Sequence, residues 1–316
     1  MKILQVVDAP HTAIATLAHQ IIRHNQGKAE FRLVPFHPKK PDKKSIKDLQ
    51  EAWIWADMVD MQYWKSASKI REMFPKLWNT KKKILTHYNP YNLHEEKWED
   101  YKAVCVVNGF QHKELPQARI IPLCINMDFF AFNRSNYTVD PIVNMSVSRI
   151  EGKKGVVEVA KACNELGYKF LLVGRVSDAT YIQQVKVAGG KSLEFRNNVA
   201  DSEVRKAYYD SAIHVCNSVD GFESGTLPIL EAMACGVPVL TRWIGHVPDT
   251  YNGSNMHINK NSCDDVENIK ACLKEMMDGR NYRINMRIEG RKSIEHRTDK
   301  WRAEQYFNLY KEVLSK

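Results

Sequence analysis

The chain has 316 residues, 44% of them hydrophobic and 26% charged, which suits a globular protein of two domains of about 150 residues each. No apolar run approaches the roughly 20 residues needed to cross a bilayer, Met1 to Asp8 lacks the apolar stretch of a secretory signal, and the seven cysteines, odd in number and without a Cys-x-x-Cys pair, read as free thiols of a cytoplasmic protein. The net charge of +9 predicts acidic partners; residues 1–140 hold 21 Lys and Arg against 15 Asp and Glu, with clusters at Lys39, Lys40, Lys43, Lys44 and Lys47 and at Lys81, Lys82 and Lys83.

Lys2 to Val7 is a β-rich run that stops at the turn signal Asp8-Ala9-Pro10, and 12–22 then reads as a helix that Thr12 can cap. Residues 31–35 are a second strand, the Lys- and Pro-rich stretch 37–44 a loop, 45–55 a helix, 58–64 a strand and 66–78 a helix broken at Pro75. The strand 83–87 ends in Thr86-His87-Tyr88-Asn89-Pro90, and 103–108 and 119–122 are strands around a short helix at 110–115. From Pro141 the pattern restarts: strand 142–147, turn 148–155, helix 156–166, strand 168–174, helix 179–187, strand 193–199, helix 202–209, strand 212–216. After Val239 come a strand at 256–258, helices near 263–277 and 280–293, and a last helix with Tyr306, Leu309, Tyr310, Val313 and Leu314 on one face. Strands alternating with helices predict parallel sheets with covered faces. Functional groups gather at the carboxyl ends of such strands, which singles out His87.

The densest signal runs from Val219 to Leu240. A polar loop leads into Pro228, helix formers follow, and Gly236 and Pro238 precede an apolar pair that starts a strand. Proline in the first turn and glycine past the end place a helix N-terminus at Thr226 to Leu227, with its free N–H groups facing the Ser224-Gly225-Thr226 loop, and such an end attracts phosphate. Glu223 and Glu231 bracket it. Carboxylates there repel a phosphate unless they face another group, and sugar hydroxyls fit that part.

Glu, seven residues, Glu, then Ala-Met-Ala-Cys-Gly-Val-Pro-Val resembles the donor-site motif of retaining GT-B glycosyltransferases of the family 4-like, "glycosyl transferases group 1" type. The resemblance implies an α/β chain with the GT-B fold, two Rossmann-like domains facing across a donor/acceptor cleft. The acceptor domain would cover 1–138 and the nucleotide-sugar donor domain 139–297, with a helix in 298–316 packing back on the first domain. It implies that Glu223 contacts the transferred sugar, Glu231 the ribose, and the backbone of Ser224, Gly225, Thr226 and Leu227 the diphosphate. The family has Phe-Gly where this chain has Gly225-Thr226, so which amide meets the phosphate stays open.

The string Ser148-Arg149-Ile150-Glu151-Gly152-Lys153-Lys154-Gly155 resembles the family's Gly-Arg-x-x-x-x-Lys-Gly element. It sets Arg149 and Lys154 on the leaving phosphates, with Lys153 as the alternative if the loop is one residue out of register. A cation pair at a strand-to-helix turn also fits a diphosphate by its own chemistry. Asn197 and Val199 fall where the family's backbone reads the base, Gly174 at the carboxyl end of the neighbouring strand, and His87 beside the transferred sugar. Cys124 to Phe130 resembles the interdomain linker without its glycine, and Ala9-Pro10-His11-Thr12 replaces the family's Gly-Gly front turn.

The function so implied is metal-independent, retaining transfer of a hexose-type sugar to a hydroxyl acceptor. The donor is a nucleotide-sugar, a UDP-sugar with a GDP-sugar as the alternative, and no other cofactor is expected. The sequence holds no Walker-type phosphate loop, no Gly-x-Gly-x-x-Gly, no metal-spaced cysteines and no Gly-x-Ser-x-Gly elbow. The acceptor is a glycan or lipid-linked saccharide, with the basic first domain resting peripherally on the inner face of an anionic membrane. Nucleic acid is the other acceptor open to this reading, as in a DNA-base-modifying glycosyltransferase. A non-catalytic sugar-nucleotide or polyanion-binding protein of the same fold is the alternative from another class.

Overall fold

The computed structural model describes residues 1–133 and 140–316; the boundary at 138/139 drawn from the sequence falls outside the described residues. The chain divides into two compact units, Met1–Cys124 with Arg297–Lys316, and Ile125–His296.

The first unit strings together β1 (Lys2–Val7), α1 (Ala13–His24), β2 (Glu30–Pro35), α2 (Lys43–Trp55), β3 (Met58–Met61), α3 (Trp64–Met73), α4 (Pro75–Trp78), β4 (Lys82–His87), β5 (Ala103–Val106), α5 (Gly109–Glu114) and β6 (Arg119–Ile120), and adds the last helix of the chain. Among the described residues its strands form one parallel sheet in the order β2-β1-β3-β4-β5-β6. The period of two sends neighbouring side chains to opposite faces. Leu4 and Val6 of β1 pack with Trp53, Trp64, Ile70 and Trp78 of α2, α3 and α4. Ile3 instead joins Ile21 of α1 and Tyr306, Leu309, Tyr310 and Val313 of the last helix, which helps close the second face. Caps fix where helices begin: Thr12 Oγ1 accepts from Ala15 N at 3.2 Å for α1, and Asp42 Oδ1 from Ser45 N at 2.7 Å for α2. β3 stops at Met61, earlier than expected, because Trp64 already opens α3 and buries its ring in the core.

The second unit runs through β7 (Ile142–Ile150), α6 (Val156–Leu166), β8 (Lys169–Val176), α7 (Ala179–Gly189), β9 (Leu193–Asn197), α8 (Asp201–Tyr209), β10 (Ile213–Cys216), α9 (Leu227–Cys235), β11 (Val239–Arg242), α10 (Val247–Thr250), β12 (His257–Asn259), α11 (Val266–Asp278) and α12 (Arg280–Ile294); the last helix, α13 (Asp299–Ser315), then returns to the first unit. Among the described residues its sheet is parallel, in the order β12-β11-β10-β7-β8-β9. The chain builds outward from β7 to β9, crosses back to β10 and continues to β12, so the order reverses between the neighbours β7 and β10. Open parallel sheets bind ligands outside the carboxyl ends of the strands at such a reversal.

β7 extends to Ile150, beyond its expected end at Val147, with a register shift against β8 between Val147 and Arg149. Gly174 of β8 permits the shift: a Cβ there would lie 2.5 Å from the Val147 carbonyl oxygen. Among the described residues no helix is long and apolar enough to cross a membrane. All seven cysteines are free, six of them buried.

Candidate functional site

Two loops leave the carboxyl ends of β7 and β10, and hydrogen bonds stitch them together. Val219 N donates to Lys153 O at 3.0 Å, and Asn217 Nδ2 donates to Gly155 O at 3.2 Å. Gly155 sits at φ +61°, and a Cβ on it would come within 2.5 Å of Asn217. Glycine alone meets both demands without strain.

The stitching brings together residues that are far apart in sequence. Lys154 Nζ lies 2.5 Å from Glu223 Oε1, and the same oxygen accepts from Ser218 Oγ at 2.7 Å. Little of either charged side chain meets water, 13% for Lys154 and 11% for Glu223. The Phe222 ring lies 5.0 Å from Lys154 Nζ and 5.3 Å from Lys153 Nζ, and an aromatic face attracts such cations. Of the two lysines, Lys154 makes the carboxylate contact. Arg149 was expected in the turn; it stands on β7 past the register shift, half-exposed, with Nη2 3.2 Å from Glu151 Oε1.

The loop after β10 enters α9 through Thr226, with Pro228 in the first turn and Gly236 closing the helix in the left-handed region. Thr226 stands at the N-cap but its side chain does not cap the helix. Its hydroxyl lies 3.2 Å from Nε2 of the buried His246, whose Nδ1 is 3.1 Å from Thr250 Oγ1. First-turn N–H groups left uncapped in this way attract phosphate. Gly245, at φ +53°, backs the loop closely enough that a Cβ would press on the Ser224 carbonyl at 3.2 Å.

Just over one turn into α9, Glu231 Oε2 accepts from Tyr208 Oη at 2.8 Å. Burial pushes the Glu231 carboxyl up to about 7; the Tyr208 bond pulls it down and the charge of Asp201 adds to the rise. Tyr208 is itself wholly buried, and burial, then the charge of Glu231, push its hydroxyl well above its ordinary value. Gly174 pairs with Asn197 across β8 and β9. Asn197 is exposed, with Oδ1 accepting from Val176 N at 3.3 Å. Val199 packs against Leu171, Val173 and Ala207.

The second unit thus joins Lys154 to Glu223 by direct contact, with Ser224 to Leu227 following in the loop after β10, while Arg149 stays on β7 against Glu151, Glu231 stands in α9 against Tyr208, and Gly174, Asn197 and Val199 lie on β8, β9 and the turn beyond. His87 belongs to the first unit. Its ring ends β4 wholly buried, stacked on Trp64 at 5.9 Å between centroids and edge-on to Trp98 at 5.8 Å. Nδ1 lies 3.0 Å from Asn89 O, and burial pushes the ring's pKa down to about 4, so the imidazole is neutral at pH 7.

Arg242, not among the residues that the sequence motifs single out, ends β11 almost fully buried. Its fork donates through Nη1 to Ser218 O at 3.0 Å, through Nη2 to Asp220 Oδ2 at 3.0 Å and through Nε to Asn261 O at 3.1 Å, and so holds the loop that carries Glu223. A cation at the carboxyl end of a strand beside β10 was the available signal. Among the described residues no three or more His, Cys, Asp or Glu stand together as a metal-holding group.

Residues 129–293, just over half of the chain, match the family model described as glycosyl transferases group 1. No curated protein matches the chain in sequence. Among solved structures, sucrose-phosphate synthase from Thermosynechococcus elongatus is similar over 100% of this chain and 99% of its own, at TM-score 0.79 and 14% identity. Anabaena HepE in complex with UDP-glucose is similar over 99% and 100%, at TM-score 0.77 and 13% identity. A glycosyltransferase from Rickettsia africae ESF-5 is similar over 99% and 98%, at TM-score 0.74 and 17% identity. The chain belongs to the glycosyl transferases group 1 family and has the GT-B fold.

Proposed function

We propose that this chain is a retaining glycosyltransferase that moves a hexose-type sugar from a UDP-sugar to a saccharide hydroxyl without a metal ion. The observation that carries this reading is the meeting of Lys154 and Glu223, from the loops after β7 and β10, at the point where the strand order of the second sheet reverses. HepE, a neighbour in fold, binds UDP-glucose, which favours UDP over GDP as the nucleotide.

As the bond from sugar C1 to the β-phosphate oxygen breaks, negative charge grows on the phosphate. Lys154, Arg149 and the 225–227 backbone amides take that charge, and each preorganised donor of this kind is worth roughly a hundredfold to a thousandfold in rate. The acceptor oxygen bonds C1 on the face the phosphate leaves, and its proton passes to the departing phosphate oxygen, so the step calls for no protein nucleophile. Glu223 accepts from hydroxyls of the transferred sugar, Glu231 from the ribose, and the backbone at 197–199 reads the base. His87, enclosed by Trp64 and Trp98, supports the end of β4 in this reading rather than touching the sugar.

The test mixes the purified protein with UDP-, GDP- and ADP-sugars and saccharide acceptors in the presence of EDTA. UDP release, with an α-linked product from an α-linked donor, is the expected result. Turnover that needs an added divalent ion, or a β-linked product from that donor, contradicts the proposal.

A further inference from the structure

We propose that Glu223 competes with the diphosphate for Lys154, so that the Lys154–Glu223 pair disfavours a bare nucleoside diphosphate and expels it once the sugar has been transferred. This rests on the donor-site reading above and extends it to the release of product.

Glu223 Oε1 holds both Lys154 Nζ and Ser218 Oγ. Water reaches little of either charged side chain, so their attraction is poorly screened, and removing one partner from such a pair is costly. The pair is braced from outside. Phe222 lies against the ammonium, Arg242 fixes the Ser218 carbonyl, and Gly245 closely backs the Ser224 carbonyl and the Glu223 Cβ. The carboxylate therefore stays beside the lysine whichever partner the lysine takes.

A diphosphate that lands on Lys154 meets this carboxylate at close range. Its oxygens only accept hydrogen bonds, as carboxylate oxygens do, so a bare nucleoside diphosphate takes the lysine from Glu223 and returns nothing. A nucleotide-sugar brings hydroxyl donors on its transferred sugar, and these replace the ammonium as partners of Glu223. When the sugar has moved to the acceptor, Glu223 again faces a bare diphosphate, and the ion pair re-forms as the product leaves.

The experiment measures, by calorimetry, the affinities of wild-type protein, Glu223→Gln and Glu223→Ala for UDP and for the UDP-sugar that turns over best, with UDP dissociation followed by stopped flow. Both variants should bind UDP about tenfold more tightly than wild type, the size of effect expected of a close charge pair. UDP should leave them more slowly, and their affinity for the UDP-sugar should not rise in step. UDP affinity that is unchanged or weakened in both variants overturns the proposal and leaves the donor site standing. Absence of binding of either ligand to wild type overturns the donor-site reading itself, and this inference with it.

Discussion

The Tyr208 hydroxyl donates to Glu231 Oε2 at 2.8 Å and opposes the burial that lifts this carboxyl to about 7. Glu231 is therefore close to half ionised at neutral pH. Ribose hydroxyls donate to a carboxylate more strongly than to a neutral acid, so the proposed ribose contact calls for the ionised form. Affinity for a nucleotide-sugar should rise as pH increases through about 7 and level off above it. Glu231→Gln should flatten the profile and weaken binding about tenfold, and Tyr208→Phe, which removes a lowering influence, should move the midpoint upward. Calorimetric titration from pH 6 to 8 checks this, and a wild-type affinity that falls over that range counts against it.

Gly155 joins the two loops only because it lacks a side chain. Gly155→Ala forces a positive φ on alanine and drives a Cβ into Asn217, a combination that should cost about 2–4 kcal/mol of stability. Gly152→Ala, where the nearest atom is the Tyr181 ring at 3.7 Å, should change stability by less than about 0.5 kcal/mol. Urea denaturation of the two variants separates these outcomes, and equal losses would contradict the close approach.

Arg242 serves the site from outside. Arg242→Ala leaves the Ser218 and Asn261 carbonyls without their donor and should destabilise by about 1–3 kcal/mol. Because the loop carrying Glu223 loosens, turnover should fall further than the loss of stability accounts for. Arg242→Lys, with a point charge in place of a fork, should recover little of either. Steady-state kinetics well below the unfolding temperature provides the readout, and full rescue by lysine would show that charge alone matters.

In the first unit, Asp60 is wholly buried and accepts from Tyr310 Oη at 2.5 Å, Gln62 Nε2 at 2.8 Å and Gln5 Nε2 at 3.2 Å. Burial outweighs these bonds and raises the carboxyl from 3.8 to about 6. An acid whose pKa is raised on folding binds its proton more tightly in the native state, so its contribution is fully present below pH 4 and is lost as pH climbs to 6. A shift of this size corresponds to about 3 kcal/mol. Asp60→Asn should remove that part of the pH dependence. Denaturation of both proteins at pH 4, 5, 6 and 7 checks it, and a constant difference between them across the window would contradict it.

Much of this architecture is legible in the sequence because buried parallel strands are short apolar runs and helix ends carry their own chemistry. Pro228 and Gly236 bound α9, Thr12 caps α1, and the 3.6 period of α13 shows in Tyr306, Leu309, Tyr310 and Val313. The motif residues Lys154, Glu223 and Glu231 stand out by residue type and spacing. Their pairings do not, because Lys154 meets Glu223 across 69 residues and Glu231 meets Tyr208 from another helix. The extension of β7 through Arg149 was hidden for a similar reason, since it depends on Gly174 of the neighbouring strand. The position of His87 on β4 is visible in sequence, but its contacts with Trp64 and Trp98 lie outside any local pattern.

The most direct test of the donor site is calorimetric titration of UDP-sugars into the wild-type protein, Lys154→Ala and Glu231→Ala, with thermal unfolding of each as a control. Wild type should bind a particular UDP-sugar at one site per chain, and both folded variants should bind it at least about tenfold more weakly. Equal affinity in all three proteins would contradict the donor-site reading.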